Sequence, residues 1–140
     1  IGADCLGCIN CVLKSIEMTA TPDWIMPLFR SVDESDVDTF VTFLTEEASF
    51  RFANAPVIAG KPAIHEMLKG FFDSIKGLRH QLTDTWQQGD AVICHGIVTY
   101  RRHDESTLTV PFANIFRLKG DLIDEYLIYV DASQLYVTAD

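Results

Sequence analysis

Residues Thr107–Val137, TLTVPFANIFRLKGDLIDEYLIYVDASQLYV, decide the fold. They read as two long strands around a tight Lys119-Gly120-Asp121 turn, followed by a short amphipathic tail. Side chains alternate across a strand, so Phe112, Asn114, Phe116 and Leu118 share one face, and Ala113, Ile115 and Arg117 the other. In the second strand Tyr126, Ile128 and Val130 share a face. An amide set among aromatic rings points to a pocket rather than a plain core, because a buried amide needs hydrogen-bond partners.

Working back from this hairpin, Leu78–Gln87 and Ala91–Arg102 read as two more hairpin-linked strands, joined by Gln88-Gly89-Asp90. The first puts Leu78, His80, Leu82 and Trp86 on one face. The second puts His95, Ile97, Thr99 and Arg101 on one face, taken as the inner one, and Val92, Cys94, Val98 and Tyr100 on the other. Ahead of them Ala48–Ala53 alternates as a strand, Asn54-Ala55-Pro56 turns it, and Val57-Ile58-Ala59 returns. A helix opening at Pro62 buries Ile64, Leu68, Phe71, Phe72 and Ile75, and Gly77 ends it. Two shorter helices come first. One starts near Thr21-Pro22-Asp23 and carries Ile25, Leu28, Phe29 and Val32, with Pro27 expected to bend or delay it; the other carries Val37, Phe40, Val41 and Leu44. The acidic run Asp33–Asp38 between them reads as a solvated turn.

Helices followed by a meander of strands is an α+β order. A long sheet with few helices must curl around them to cover its apolar face. The expected fold is therefore α+β, a cone-shaped, curved, mostly antiparallel sheet wrapped around the N-terminal helices, with a pocket at its mouth. The other sheet face still carries apolar side chains, read as Val92, Val98, Tyr100, Ile115, Leu127 and Tyr129, so a homodimer through that face is expected.

With 140 residues, 48% of them hydrophobic, the chain can build one core and is not disordered. A net charge of −9 argues against nucleic acid or an anionic membrane as partner, since both need a basic face. No apolar run approaches the roughly 20 residues that span a bilayer, and a cytoplasmic location is expected. Residues 1–17 read as an N-terminal extension or leader, without the basic and apolar regions of a secretory signal. The single domain is expected over residues 18–140. Cys5, Cys8 and Cys11 have a C-x2-C-x2-C spacing that thiolate clusters can use, but Cys94 sits mid-strand and no Cys-Pro follows. They read as loose thiols; no metal site and no cofactor is expected.

The segments DESDVDTFVTFLTEEASFRF, NAPVIAGKPAIHEML, the W-x2-GD turn and NIFRLKGDLIDEYLIYVD together resemble the nuclear transport factor 2-like superfamily, and within it the SnoaL-like group. That group holds polyketide cyclases, ketosteroid isomerases and limonene-epoxide hydrolases. The resemblance spans Pro22 to Leu135 and implies the same cone. Site residues transfer only in part. Where the isomerases place a catalytic Asp the chain has Phe52, where they place an oxyanion Tyr it has Leu28, and their oxyanion Asp falls at Asn114. The epoxide hydrolases' Asn and Arg fall at Asn54 and Arg101. Their Tyr falls at Phe52, and their two Asp at His103 and Ile128.

The resemblance thus implies a small, apolar, ring-like or terpenoid-like ligand and cofactor-free acid/base chemistry, namely cyclisation, isomerisation or hydration. The alternative is a non-catalytic ligand-binding or dimerisation module. Candidate proton carriers are His95, His103 and Asp131, because a His titrates near neutrality. Candidate ligand contacts are Asn54, Arg101 and Asn114, with Phe52, His80, Trp86, Phe112 and Tyr126 as pocket walls.

Overall fold

A computed structural model describes residues 21–136; the expected extension 1–17, with Cys5, Cys8 and Cys11, lies outside them. Helices α1 (Ile25–Asp33) and α2 (Val37–Val41) lead into strand β1 (Leu44–Phe52). The short β2 (Ile58–Ala59) and helix α3 (Lys61–Asp73) follow. Four long strands complete the chain: β3 (Gly77–Gln88), β4 (Ala91–Arg101), β5 (Thr107–Lys119) and β6 (Leu122–Val130). Pro27 falls in the first turn of α1, where backbone N–H groups have no intrahelical partner, so the helix runs through it. Asp36 caps α2 by accepting from the Thr39 amide at 3.1 Å.

The six strands form one open sheet in the order β2-β1-β6-β5-β4-β3. All neighbours are antiparallel except β1 and β6, which pair in parallel, so the sheet is mixed. The helices cover one side of it, giving the α+β cone expected from the order of elements. The β3–β4 and β5–β6 hairpins each turn on a two-residue Gly-Asp loop. In the β5–β6 turn Gly120 takes φ +65°, a conformation that costs glycine little.

Two features set which side chains face inward. Strand β4 pairs with β5 in a register that places Cys94 opposite Asn114 and His95 opposite Ala113. Residues directly opposite in a sheet lie on the same face. Since Asn114 and Phe116 face the helices, so do Val92, Cys94, Val98 and Tyr100, all buried. This corrects the sequence reading, which took these four as outer and His95, Ile97, Thr99 and Arg101 as inner. The second feature is a bulge in β3, where Leu82 pairs with Gly96 and Asp84 with His95, leaving Thr83 as the extra residue. One inserted residue inverts the alternation. Leu78, His80 and Leu82 face inward before it, and Thr85 after it, so Trp86 points outward. Gly96 sits at the bulge, and a Cβ there would lie 2.1 Å from the Gln81 carbonyl oxygen.

The core lies between the concave face and the helices. Ile25, Leu28 and Phe29 of α1 and Ile64, Leu68 and Phe72 of α3 pack onto Phe50, Phe112, Phe116 and Tyr126 of the sheet. Aromatic rings meet edge-on or tilted, with Phe116 and Tyr126 centroids 4.6 Å apart and Phe50 and Tyr126 5.1 Å apart. Among the described residues, no helix lies on the convex face. That face carries Trp86, Ile93, Ile97 and Tyr129, all exposed. Trp86, Ile93, Ile115 and Leu127 form one cross-strand row over β3, β4, β5 and β6.

Candidate functional site

Packing between the curled sheet and the helices leaves a cavity of about 140 Å³. Its walls are mostly apolar, including Phe52, Met67, Phe71, Phe112 and Ile128, and four polar side chains interrupt them: His80, Tyr100, Asn114 and Tyr126. Three of the four come from β4, β5 and β6, whose long, register-locked ladders hold them rigidly.

His80 is held from several directions. Its Nδ1 lies 2.6 Å from Asp33 Oδ1, and its backbone N–H donates to Asp33 Oδ2 at 3.1 Å. Phe29 and Phe112 pack against the imidazole with centroids 4.8 and 5.1 Å away. Because a carboxylate accepts only, Nδ1–H donates to Asp33, and in the neutral tautomer that fits this contact Nε2 keeps its lone pair. Asp33 ends α1, an unfavourable place for an acid on helix-dipole grounds. The His80 contacts give it a reason to be there.

Asn114 is buried, and its Oδ1 has no hydrogen-bond partner among the described residues. A buried carbonyl oxygen without a partner is rare in folded proteins. Burial pushes the Tyr126 hydroxyl well above its usual range, helped by the nearby Cys94, Asp33 and Tyr100. Burial, then the neighbouring Tyr136, does the same to Tyr100. Both phenols therefore stay protonated at neutral pH and can donate. Burial also pushes the Cys94 thiol up to about 12, against a smaller opposing effect of the Asn114 backbone.

The other residues singled out in the sequence lie elsewhere. His95 is on the convex face, half-exposed, with Nδ1 3.6 Å from the Asp84 carboxylate. Arg101, considered above with the pocket, is exposed at the outer end of β4. His103 sits in the β4–β5 turn and donates from Nε2 to the Asp73 carbonyl at 2.9 Å. Asp131 accepts from the Ser133 amide at 3.0 Å, and Ser133 holds its carboxyl below the usual range. Asn54 and Asp131 line a separate open depression of about 630 Å³, and Phe52 and Ala55 border both it and the cavity.

Asp33 was missed because it was read as part of a solvated acidic turn. The available signal was its spacing: Asp33 is four residues after the buried Phe29, one turn further along the same helix face. Among the described residues, no group of three or more His, Cys, Asp or Glu side chains is placed to hold a metal, and no helix is long and apolar enough to cross a membrane.

The family of SnoaL-like domains matches residues 27–126. No curated protein matches the chain. Several solved structures share the fold. TerC, co-crystallised with polyporic acid, is 14% identical with a TM-score of 0.72, over 80% of this chain and 92% of that one. A protein of ketosteroid isomerase-like fold from Catenulispora acidiphila DSM 44928, in complex with trimethylamine, is 16% identical with a TM-score of 0.73, over 79% and 86%. An LEH-like epoxide hydrolase of M. tuberculosis is 13% identical with a TM-score of 0.68, over 80% and 83%. At these identities the likeness shows the fold alone.

Proposed function

The chain belongs to the family of SnoaL-like domains, and from that premise we propose that it is a small-molecule pocket protein working as a cofactor-free acid/base enzyme. The observation that carries the reading is the Asp33–His80 pair at the wall of an apolar cavity. With Nδ1–H given to Asp33, His80 Nε2 takes a proton from a substrate carbon beside a carbonyl. The C–H electron pair moves into the new C=C bond, and the carbonyl oxygen gathers negative charge. A neutral hydroxyl of Tyr126 or Tyr100, or the Asn114 amide, donates to that oxygen. Return of the proton from Nε2 to another carbon completes an isomerisation. Attack of the enolate on a second carbonyl of the same molecule, with the proton passed to the alkoxide, completes a cyclisation.

Positioned general-base catalysis contributes about 10²–10⁴ in rate. The test is exchange of the α-protons of cyclohexanone in D2O, followed by proton NMR. The wild-type chain should accelerate exchange, His80→Gln should lose about 10²-fold or more of that acceleration, and Asp33→Asn should lose less. Exchange that is unchanged by His80→Gln would sink the catalytic reading.

A second reading is a ligand-binding module without turnover. The apolar Leu28, Phe52 and Ile128 favour it, since each stands where a related enzyme would carry a polar group. Binding without exchange would select it. The apolar row Trp86, Ile93, Ile115 and Leu127, exposed at Trp86 and Ile93 and half-buried at Ile115 and Leu127, supports a homodimer through the convex face, on which no helix of the described residues lies. Stable interfaces bury about 800 Å² per partner, an area comparable with a face four strands wide.

A further inference from the structure

The size and polarity of the cavity narrow the ligand further, given the reading of that cavity as a ligand site. We infer that the ligand is an uncharged molecule of one six-membered ring carrying a hydrogen-bonding oxygen, seated against Phe112 with that oxygen on the Asn114 amide.

The size follows from the volume. An apolar engineered cavity of about 150 Å³ binds benzene, and this one is about 140 Å³. One ring with a small substituent fills it, whereas a fused pair of rings does not fit without moving the wall. That is smaller than the terpenoid-like ligand implied by the sequence resemblance.

Neutrality follows from the lining. No Lys, Arg, Asp or Glu of the described residues borders the cavity, and the Asp33 carboxylate stands behind His80. A buried anion would have no counter-charge and a carboxylate close by, and a buried charge is tolerated only when paired. The oxygen follows from Asn114, buried with its own oxygen unpaired. With the amide turned so that its oxygen faces the cavity, a hydroxyl on the ring supplies that missing donor, and with its nitrogen facing the cavity a carbonyl takes the amide N–H instead. Phe112 orients the ring: it packs on His80 and lies two residues before Asn114 on the same strand face, so a ring against it reaches both polar groups.

The test is a titration of the full chain, labelled at the methionine methyl carbons, with benzene, phenol, 2-naphthol and benzoate. Met67 lines the cavity and reports binding, and the exposed Met26 serves as reference. Benzene and phenol should shift Met67 saturably, with phenol about tenfold tighter, the worth of one buried hydrogen bond. Neither 2-naphthol nor benzoate should shift it. Asn114→Leu should bring phenol down to the affinity of benzene and leave benzene no weaker. Binding of 2-naphthol as tight as phenol would overturn the size, and saturable benzoate binding the neutrality. Equal affinities for phenol and benzene in the wild-type chain would overturn the role of Asn114. In each of these cases Met67 still responds, so the ligand site itself stands. A Met67 signal unmoved by every probe would remove the site and the inference together.

Discussion

Replacing Asn114 with leucine should make the protein more stable while impairing ligand binding. The side chain is only 1% exposed, and its oxygen lacks a partner among the described residues. Leaving one buried polar group unsatisfied costs about 1–3 kcal/mol. Leucine has nearly the same branched shape as asparagine and no polar atom, so it removes that cost and joins the apolar wall formed by Phe112, Phe116 and Cys94. The expected gain is about 1–3 kcal/mol. In a domain of this size about 1 kcal/mol moves Tm by roughly 3–5 °C, so the midpoint should rise by about 3–15 °C. Differential scanning calorimetry of wild type and variant without ligand measures it. Alanine at the same position separates the two contributions, since it relieves the amide but enlarges the cavity, and cavity growth is itself destabilising. A leucine variant less stable than wild type by 1 kcal/mol or more would show that the amide is already satisfied, and the reasoning about a waiting polar group would fail.

Three further predictions rest on separate parts of the structure. Gly96→Ala places a Cβ 2.1 Å from the Gln81 carbonyl oxygen at the β3 bulge, so urea denaturation should show a loss of about 2–4 kcal/mol; a change under about 0.5 kcal/mol would contradict the close approach. Ile93→Lys puts a charge in the middle of the apolar row on the convex face, so light scattering should give a dimer mass for the wild-type chain and a monomer mass for the variant; a wild-type monomer would refute the dimer, and a dimer surviving the change would place the interface elsewhere. The Cys94 thiol, pushed up to about 12 by burial, should resist iodoacetamide at pH 8 in the folded chain and react after denaturation, as read from the Cys94 peptide by mass spectrometry; the thiolate is the reactive form, so rapid labelling in the folded state would refute the buried neutral thiol.

Much of the fold was legible because β5 and β6 announce themselves. Strict alternation from Phe112 to Leu118 and a Gly-Asp turn leave little choice of structure. Alternation divides a strand into two faces without saying which is concave. In β4 both faces are apolar enough to be buried, with Val92, Val98 and Tyr100 on one and Ile93 and Ile97 on the other. Only the pairing of Cys94 with Asn114 settles the choice, and register is a property of two strands together. The same holds for Trp86, whose side was set by one extra residue, Thr83. Asn114 and the aromatic walls Phe52, Phe112 and Tyr126 could be read from β1, β5 and β6 because those strands were assigned the right faces. His80 was readable as a wall residue, but its partner was not. The Asp33–His80 contact spans 47 residues and joins a helix end to an edge strand, which no local pattern encodes.

The hollow between the concave sheet and the helices is best tested by diffusing phenol into crystals of the protein and refining the difference density. One ring should lie against Phe112 with its oxygen within about 3.2 Å of the Asn114 amide. A space that stays empty at saturating phenol, or that is filled by turned phenylalanine side chains, would contradict the account.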